Sequence, residues 1–304
     1  MVTWDQVTPL DVVKTTDCET AEELLGRLSP QDSFWQPDPT GWIFRGQADA
    51  NWKLLSTAHR KEIHEFEEWN LLGQNAESYG DDSVRIGAER TLWKRFRDAI
   101  DEAGLDIPGE LVQIERERGT QYQDEIPDGG IPLLALAQHF ELPTSLLDWS
   151  RIALKGAYFA VSDLRDLKER GTEGRLAVWC LKKAALDHIG RVHDNVLRLV
   201  TAPLASNPNL HAQSGIFTQV RDGQALPLDD FIREQVSNYP ALTEGVPVPW
   251  MRKLTLPRGR APEAMRLLSY QGIHGASMFP GYAGVVRRLR EEAIWKRLSD
   301  LRGS

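Results

Sequence analysis

Three stretches set polar side chains into otherwise apolar runs, and their residue types are those that hold phosphates, carboxylates and sugar hydroxyls. The first is Arg45-Gly46-Gln47, directly after Trp42-Ile43-Phe44. A guanidinium offers a planar fork for phosphate or carboxylate, glycine lets the backbone approach a flat ring, and Gln47 adds a donor and an acceptor. Such a turn suits a nucleotide. The alternative is structural, with Arg45 pairing a carboxylate to pin two elements together. The second stretch holds Gln138-His139, then Pro143-Thr144-Ser145 and Asp148 between Leu147 and Trp149. A carboxylate in that setting needs a cation or a cluster of N–H donors, and Arg45 and His139 are the candidates. A shared Arg45–His139–Asp148 site is therefore expected, against the alternative of a core histidine satisfied by backbone. The third stretch is Gln213-Ser214-Gly215-Ile216-Phe217.

The elements that must position these residues alternate along the chain. Thr20-Ala21-Glu22-Glu23 has capping-box spacing and predicts a helix over about Ala21 to Leu28. Pro37, Pro39 and Gly41 break the chain before a buried strand at Trp42 to Phe44, which puts Arg45 at a strand end. Helical spacing predicts helices from Ala58 to about Trp69, from Ile86 to Ala103, over Ile131–Phe140 and over Ile152–Val161. Residues 104–130, rich in Gly, Pro and Asp, read as a loop or lid, and Pro143 ends the preceding helix so that the Thr144 and Ser145 hydroxyls can cap a turn. Strands are predicted at Arg175–Leu181, Gly215–Val220 and Lys253–Leu256, and helices at Pro262–Tyr270 and Gly281–Leu301. The pattern predicts a single α+β domain over 1–304, with interleaved helices and short strands, no internal repeat and no linker.

Composition narrows the function classes. The 304 residues are 41% hydrophobic, ample for a core. Cys18 and Cys180 stand far apart without ligand-spaced partners, which argues against a disulfide scaffold or a zinc site and for a reducing, cytoplasmic setting. No basic leader and no apolar run of membrane-spanning length is seen, so neither secretion nor a membrane partner is expected. Motifs of P-loop enzymes, serine hydrolases and zinc proteases are absent. His64, Glu65, Glu67 and Glu68 read as a solvated helix face, and no metal is expected. Residues 251–304 carry eleven Lys and Arg against four Asp and Glu in a chain of net charge −8. That basic end could grip nucleic acid, or simply solvate an amphipathic helix at about 281–301.

At these same residues the sequence resembles the FRG domain proteins, named for a Phe-Arg-Gly triplet found here as Phe44-Arg45-Gly46. "WIFRGQADANWKLLSTAHR" is similar to the opening motif of that family, and "LALAQHFELPTSLLDWSRIALKGAYFAV" to its central signature. "QSGIFTQV" and the block from Met251 to about residue 290 resemble its later elements, so the resemblance runs from about residue 20 to 290. The closing block departs at Gly281-Tyr282-Ala283, where an acidic residue is often found. The resemblance implies a bacterial or phage protein of the antiviral-defence or toxin type, with a regulatory or antitoxin partner.

A looser resemblance to ADP-ribosyltransferases implies a split-sheet fold and NAD as substrate. Arg45-Gly46 would then meet the phosphate and the nicotinamide, Thr144-Ser145 would supply the later Ser/Thr strand, and Asp148 would stand in for the missing Glu. On that reading Arg45, His139 and Asp148 are catalytic, and Arg45, Gly46, Gln47, Gln138, Thr144, Ser145 and Gln213 bind the nucleotide, with a protein or nucleic-acid acceptor. A metal-independent nuclease using His139 and Arg45, and a non-catalytic sensor of a nucleotide or phage component, are the competing expectations.

Overall fold

The computed structural model describes residues 12–35, 38–60, 69, 71, 82–108, 126, 128–162, 172–192, 196–202, 207–220, 226–243, 246 and 249–302. Seven strands form one mixed sheet: β1 (Val13–Asp17), β2 (Trp42–Gln47), β3 (Leu146–Ser150), β4 (Arg175–Lys182), β5 (Leu197–Val200), β6 (Gly215–Val220) and β7 (Met251–Pro257). Their order across the sheet is β1-β7-β4-β2-β3-β6-β5. Around it lie α1 (Ala21–Leu28), α2 (Asp82–Glu102), α3 (Ile131–His139), α4 (Ala153–Val161), α5 (Lys183–Val192), α6 (Pro208–Ala212), α7 (Leu228–Asn238), α8 (Ala261–Tyr270), α9 (Gly275–Met278) and α10 (Tyr282–Arg302). This is the mixed α+β single domain expected from the interleaved pattern. Among the described residues no helix is long and apolar enough to cross a membrane.

Alternation along β4 shows how the sheet divides the core. Leu176, Val178 and Cys180 pack with α1, α4 and α8, while Ala177, Trp179 and Leu181 pack on the opposite face with α5, α7 and Trp250. Successive side chains of a strand point to opposite faces, so both faces of a central strand must be apolar. β2 follows the same rule, with Trp42 and Phe44 toward α4 and Ile43 away from it. A third cluster, with Trp93 and Ile100 of α2 and Leu133 and Leu134 of α3, closes over Leu146 and Phe217.

The joint between β2 and β3 differs from the others. β2 pairs with β4 along its whole length, Trp42 with Lys182 through Gln47 with Ala177. It meets β3 at one pair only, Phe44 with Ser150, and beyond it the two strands diverge. β3 is in turn fully paired with β6. The sheet is thus two well-paired parts joined at a narrow seam.

Several expectations need correction here. Arg45-Gly46-Gln47 is not a turn at a strand end but the second half of β2, because β4 continues to pair with it. Pro143-Thr144-Ser145 leads into β3 instead of a capped turn; Asp148, the exposed centre of that strand, interrupts the apolar pattern that would have revealed it. The edge strands β1 and β5, and helices α5, α6, α7 and α9, were not foreseen. Thr20 does cap α1, its hydroxyl accepting from Glu23 N at 3.1 Å, but the Glu23 carboxylate accepts from Glu19 N instead of Thr20 N. Where a helix is expected over Ala58 to Trp69, the chain makes a short 3-10 turn at Thr57–His59 that ends at an extended Arg60. Residues 61–68, with the His64–Glu68 run, and most of residues 104–130 lie outside the described residues.

Candidate functional site

The divergence of β2 from β3 opens a cleft of about 1060 Å³. Arg45, Gly46, Gln47, Gln138, His139, Asp148 and Gln213 all line it. Thr144 and Ser145 do not; they are buried behind it.

Arg45 bridges the seam. Its Nη1 donates to the Asp148 main-chain oxygen at 2.8 Å and to Asp148 Oδ2 at 2.6 Å. The Arg45 side chain is 11% exposed and that of Asp148 60%, so the pair sits at the boundary between core and solvent. Asp148 Oδ1 accepts from Gln138 Nε2 at 2.6 Å, and Gln138 Oε1 accepts from Thr144 Oγ1 at 2.5 Å. Each donor orients the next group, so the carboxylate is braced from two sides. The rest of the guanidinium is unengaged: Nε is buried without a partner, and Nη2 makes no hydrogen bond. The unengaged Nη2 leaves the guanidinium able to donate to an anion in the cleft.

The other positions divide by what already holds them. Gln47 is fixed at both ends, Oε1 accepting from Trp179 Nε1 at 2.9 Å and Nε2 donating to Lys53 O at 3.3 Å. Gly46 answers a steric demand: a Cβ there would lie 2.2 Å from Ala160 N and Gly156 O of α4. His139 is exposed at the end of α3, where Asn209 Nδ2 donates to its Nε2 at 3.2 Å; no hydrogen bond joins it to Asp148. Gln213 donates weakly to Met278 O at 3.4 Å, with its Oε1 unengaged. The expected Arg45–His139–Asp148 group is therefore an Arg45–Asp148–Gln138 group with His139 beside it.

Sequence reasoning missed a polar layer behind this wall. Glu89 of α2 is buried, accepts from Ser145 N at 2.5 Å, and burial raises its carboxyl to about 7. Gln219 Nε2 donates to Ser145 Oγ at 2.9 Å. His59, which lines the cleft, is buried with Nδ1 2.8 Å from Ser56 Oγ. Burial, with help from the Arg85 charge, lowers His59 to about 4 and keeps it neutral. Only the spacing Ser56-x-x-His59 could have signalled the pair. Among the described residues no cluster of three His, Cys, Asp or Glu side chains could hold a metal ion.

The fold is α+β, and its cleft is centred on an arginine in a Phe-Arg-Gly strand. The family model of the FRG domain matches residues 40–169, and the chain carries an FRG domain over that stretch. The match spans β2, the α3–β3 unit and α4, and hence Arg45, Gln138, His139 and Asp148; Gln213 and the later blocks fall outside it. No curated protein and no solved structure matches the chain.

Proposed function

We propose that the cleft binds a nucleotide, NAD in the concrete case, and that the protein is an effector of the toxin or antiviral-defence type that transfers or hydrolyses the ADP-ribose. The observation that carries this reading is Arg45 on the wall of a cleft of about 1060 Å³, held on Asp148 by one nitrogen, with Nη2 free of hydrogen bonds and Nε buried without a partner. That space accommodates a ligand larger than a single phosphate. Arg45 binds the diphosphate, and the Phe159, Phe217 and Phe279 side chains on the cleft wall offer apolar surface for a ring.

The braced carboxylate of Asp148 faces the ribose and stabilises the positive charge that develops as the bond from C1′ to nicotinamide breaks. Gln138 and Thr144 keep it in place, and Gln213 Oε1 accepts from a sugar or amide group. His139, with Asn209 on its Nε2, lies at the rim as a positioning group. A nuclease would need cations along a strand-binding surface, but Arg288 and Lys296 of α10 are paired with Glu292, which favours the nucleotide reading.

The test incubates the purified chain separately with NAD and with RNA. Free nicotinamide is expected, and its loss in Asp148→Asn. Metal-independent strand scission without nicotinamide release would instead select the nuclease, and binding without turnover the sensor.

A further inference from the structure

The cleft holds two histidines, and their free lone pairs differ. His139 Nε2 is taken by Asn209 Nδ2, an amide N–H that can only donate. His59 lines the cleft with Nδ1 on Ser56 Oγ, and its Nε2 makes no hydrogen bond. The carboxylate is no better placed as a base, since both Asp148 oxygens already accept. Glu89 is fully buried on Ser145 and lies off the cleft wall.

The turn that carries His59 is also fixed relative to Asp148. Ala58 N donates to Thr144 O at 3.1 Å, and Thr144 N donates to Thr57 Oγ1 at 3.1 Å. Through its own hydroxyl Thr144 orients Gln138, and through Gln138 the Asp148 carboxylate. One residue therefore sets the position of both the imidazole and the carboxylate.

We propose that His59 is the proton acceptor of the cleft: it donates Nδ1–H to Ser56 Oγ, and its Nε2 takes the proton of the water or acceptor hydroxyl that captures the ribosyl carbon. This rests on the ADP-ribosyl reading above. The oxygen–C1′ bond forms as the C1′–nitrogen bond breaks. The electron pair of the broken bond leaves on nicotinamide and neutralises its ring, and the hydroxyl proton ends on Nε2. Asp148 carries the transient positive charge, and Ser56 is a positioning residue. A base of carboxylate strength suffices against so activated a carbon, as in inverting glycoside hydrolysis, and a buried His59 lowered to about 4 is such a base. The charged group of α2 that acts on it is Arg85, and Arg60 is adjacent in the chain; Arg45, Lys53, Asp148 and His139 share the cleft.

The test uses the full chain labelled with 15N-histidine, in which His59→Gln identifies the His59 ring among seven histidines. Ring nitrogen shifts report which nitrogen holds the proton. At neutral pH Nδ1 is expected protonated and Nε2 bare, with the Nε2 signal moving when ADP-ribose is added. Nicotinamide release should fall about 100-fold in His59→Gln while ADP-ribose affinity stays within about threefold. Ser56→Ala should lower kcat about tenfold with KM unchanged. The acid limb of the wild-type rate profile should lie near pH 4, instead of near the ordinary 6.5, because the base acts only when unprotonated. A proton on Nε2, a signal indifferent to ADP-ribose, or full activity in His59→Gln would overturn this inference and leave the proposed function standing. No nicotinamide release from the wild-type chain would overturn both.

Discussion

The cleft at the β2–β3 seam and the outer face of α10 both present arginine, and they use it in opposite ways. In α10 two of the cations are matched within the helix: Arg288 lies 3.0 Å and Lys296 3.6 Å from Glu292. Arg287 packs 4.5 Å over the Phe279 ring and donates to Ser162, and its buried Nε, like that of Arg45 without a hydrogen bond, lies 3.7 Å from the Glu291 carboxylate of the same helix. In the cleft Arg45 has one carboxylate partner and two nitrogens without any. The excess of basic residues in the C-terminal sequence thus says little about binding, whereas one arginine in an apolar strand says more. Net charge counts side chains; a site depends on which donors remain unsatisfied.

Substitutions should separate the two regions sharply. The largest effect is expected from Gly46→Ala, whose Cβ would meet α4 backbone at 2.2 Å and not a movable side chain. Urea unfolding should show a loss of about 3 kcal/mol or more, or no folded protein. Wild-type stability would mean that α4 and β2 are not packed as described. Next comes Arg45→Ala, for which ADP-ribose affinity should drop about 100-fold, or about 2.7 kcal/mol. Stability should fall by no more than about 1 kcal/mol, because the Asp148 left behind is exposed. A large fall in Tm with unchanged affinity would make Arg45 a structural pin, no different in kind from Arg287.

The polar layer behind the cleft gives a pH signature. Glu89 is raised from 4.5 to about 7, so its contribution is full below pH 4.5 and is lost as pH rises through 7. His59 is lowered from 6.5 to about 4, so its contribution is full above pH 6.5 and is lost as pH falls through 4. Between about pH 4.5 and 6.5 the two slopes oppose one another. Glu89→Gln should leave a stability that climbs with pH across that window, and His59→Gln one that falls, each by on the order of 2–3 kcal/mol. Chemical denaturation at several pH values reads this directly, and two flat mutant profiles would deny the burial of these groups. The smallest effect is expected at α10. Arg288→Glu should cost a few tenths of a kcal/mol and leave any RNA affinity and its salt dependence unchanged. A flattened salt slope would show that the helix does contact phosphates.

Much of the cleft was legible because a polar residue inside an apolar run must be paired or used. Arg45, Gln138, Asp148 and Gln213 were found on that ground, and the structure brings all four to one cleft. What could not be read depends on distant parts of the chain. Gly46 looked free to meet a ring, yet α4 covers it, a contact between segments more than a hundred residues apart. His59 becomes a buried neutral group only when α2 packs over its turn, and nothing near it in sequence announces that. β1, with the sequence Val13-Lys14-Thr15-Thr16-Asp17, lacks an apolar pattern and exists as a strand because β7 offers a parallel edge. The helices α1 and α4 were legible to within a residue because a local cap and a continuous apolar face were enough.

The most direct measurement is a crystal structure of the chain with ADP-ribose bound. The diphosphate should lie in the β2–β3 cleft within hydrogen-bond distance of Arg45 Nη2, with the C1′ end of the distal ribose toward Asp148. Nucleotide bound elsewhere, or in the cleft with Arg45 still engaged by Asp148 alone, would contradict the account.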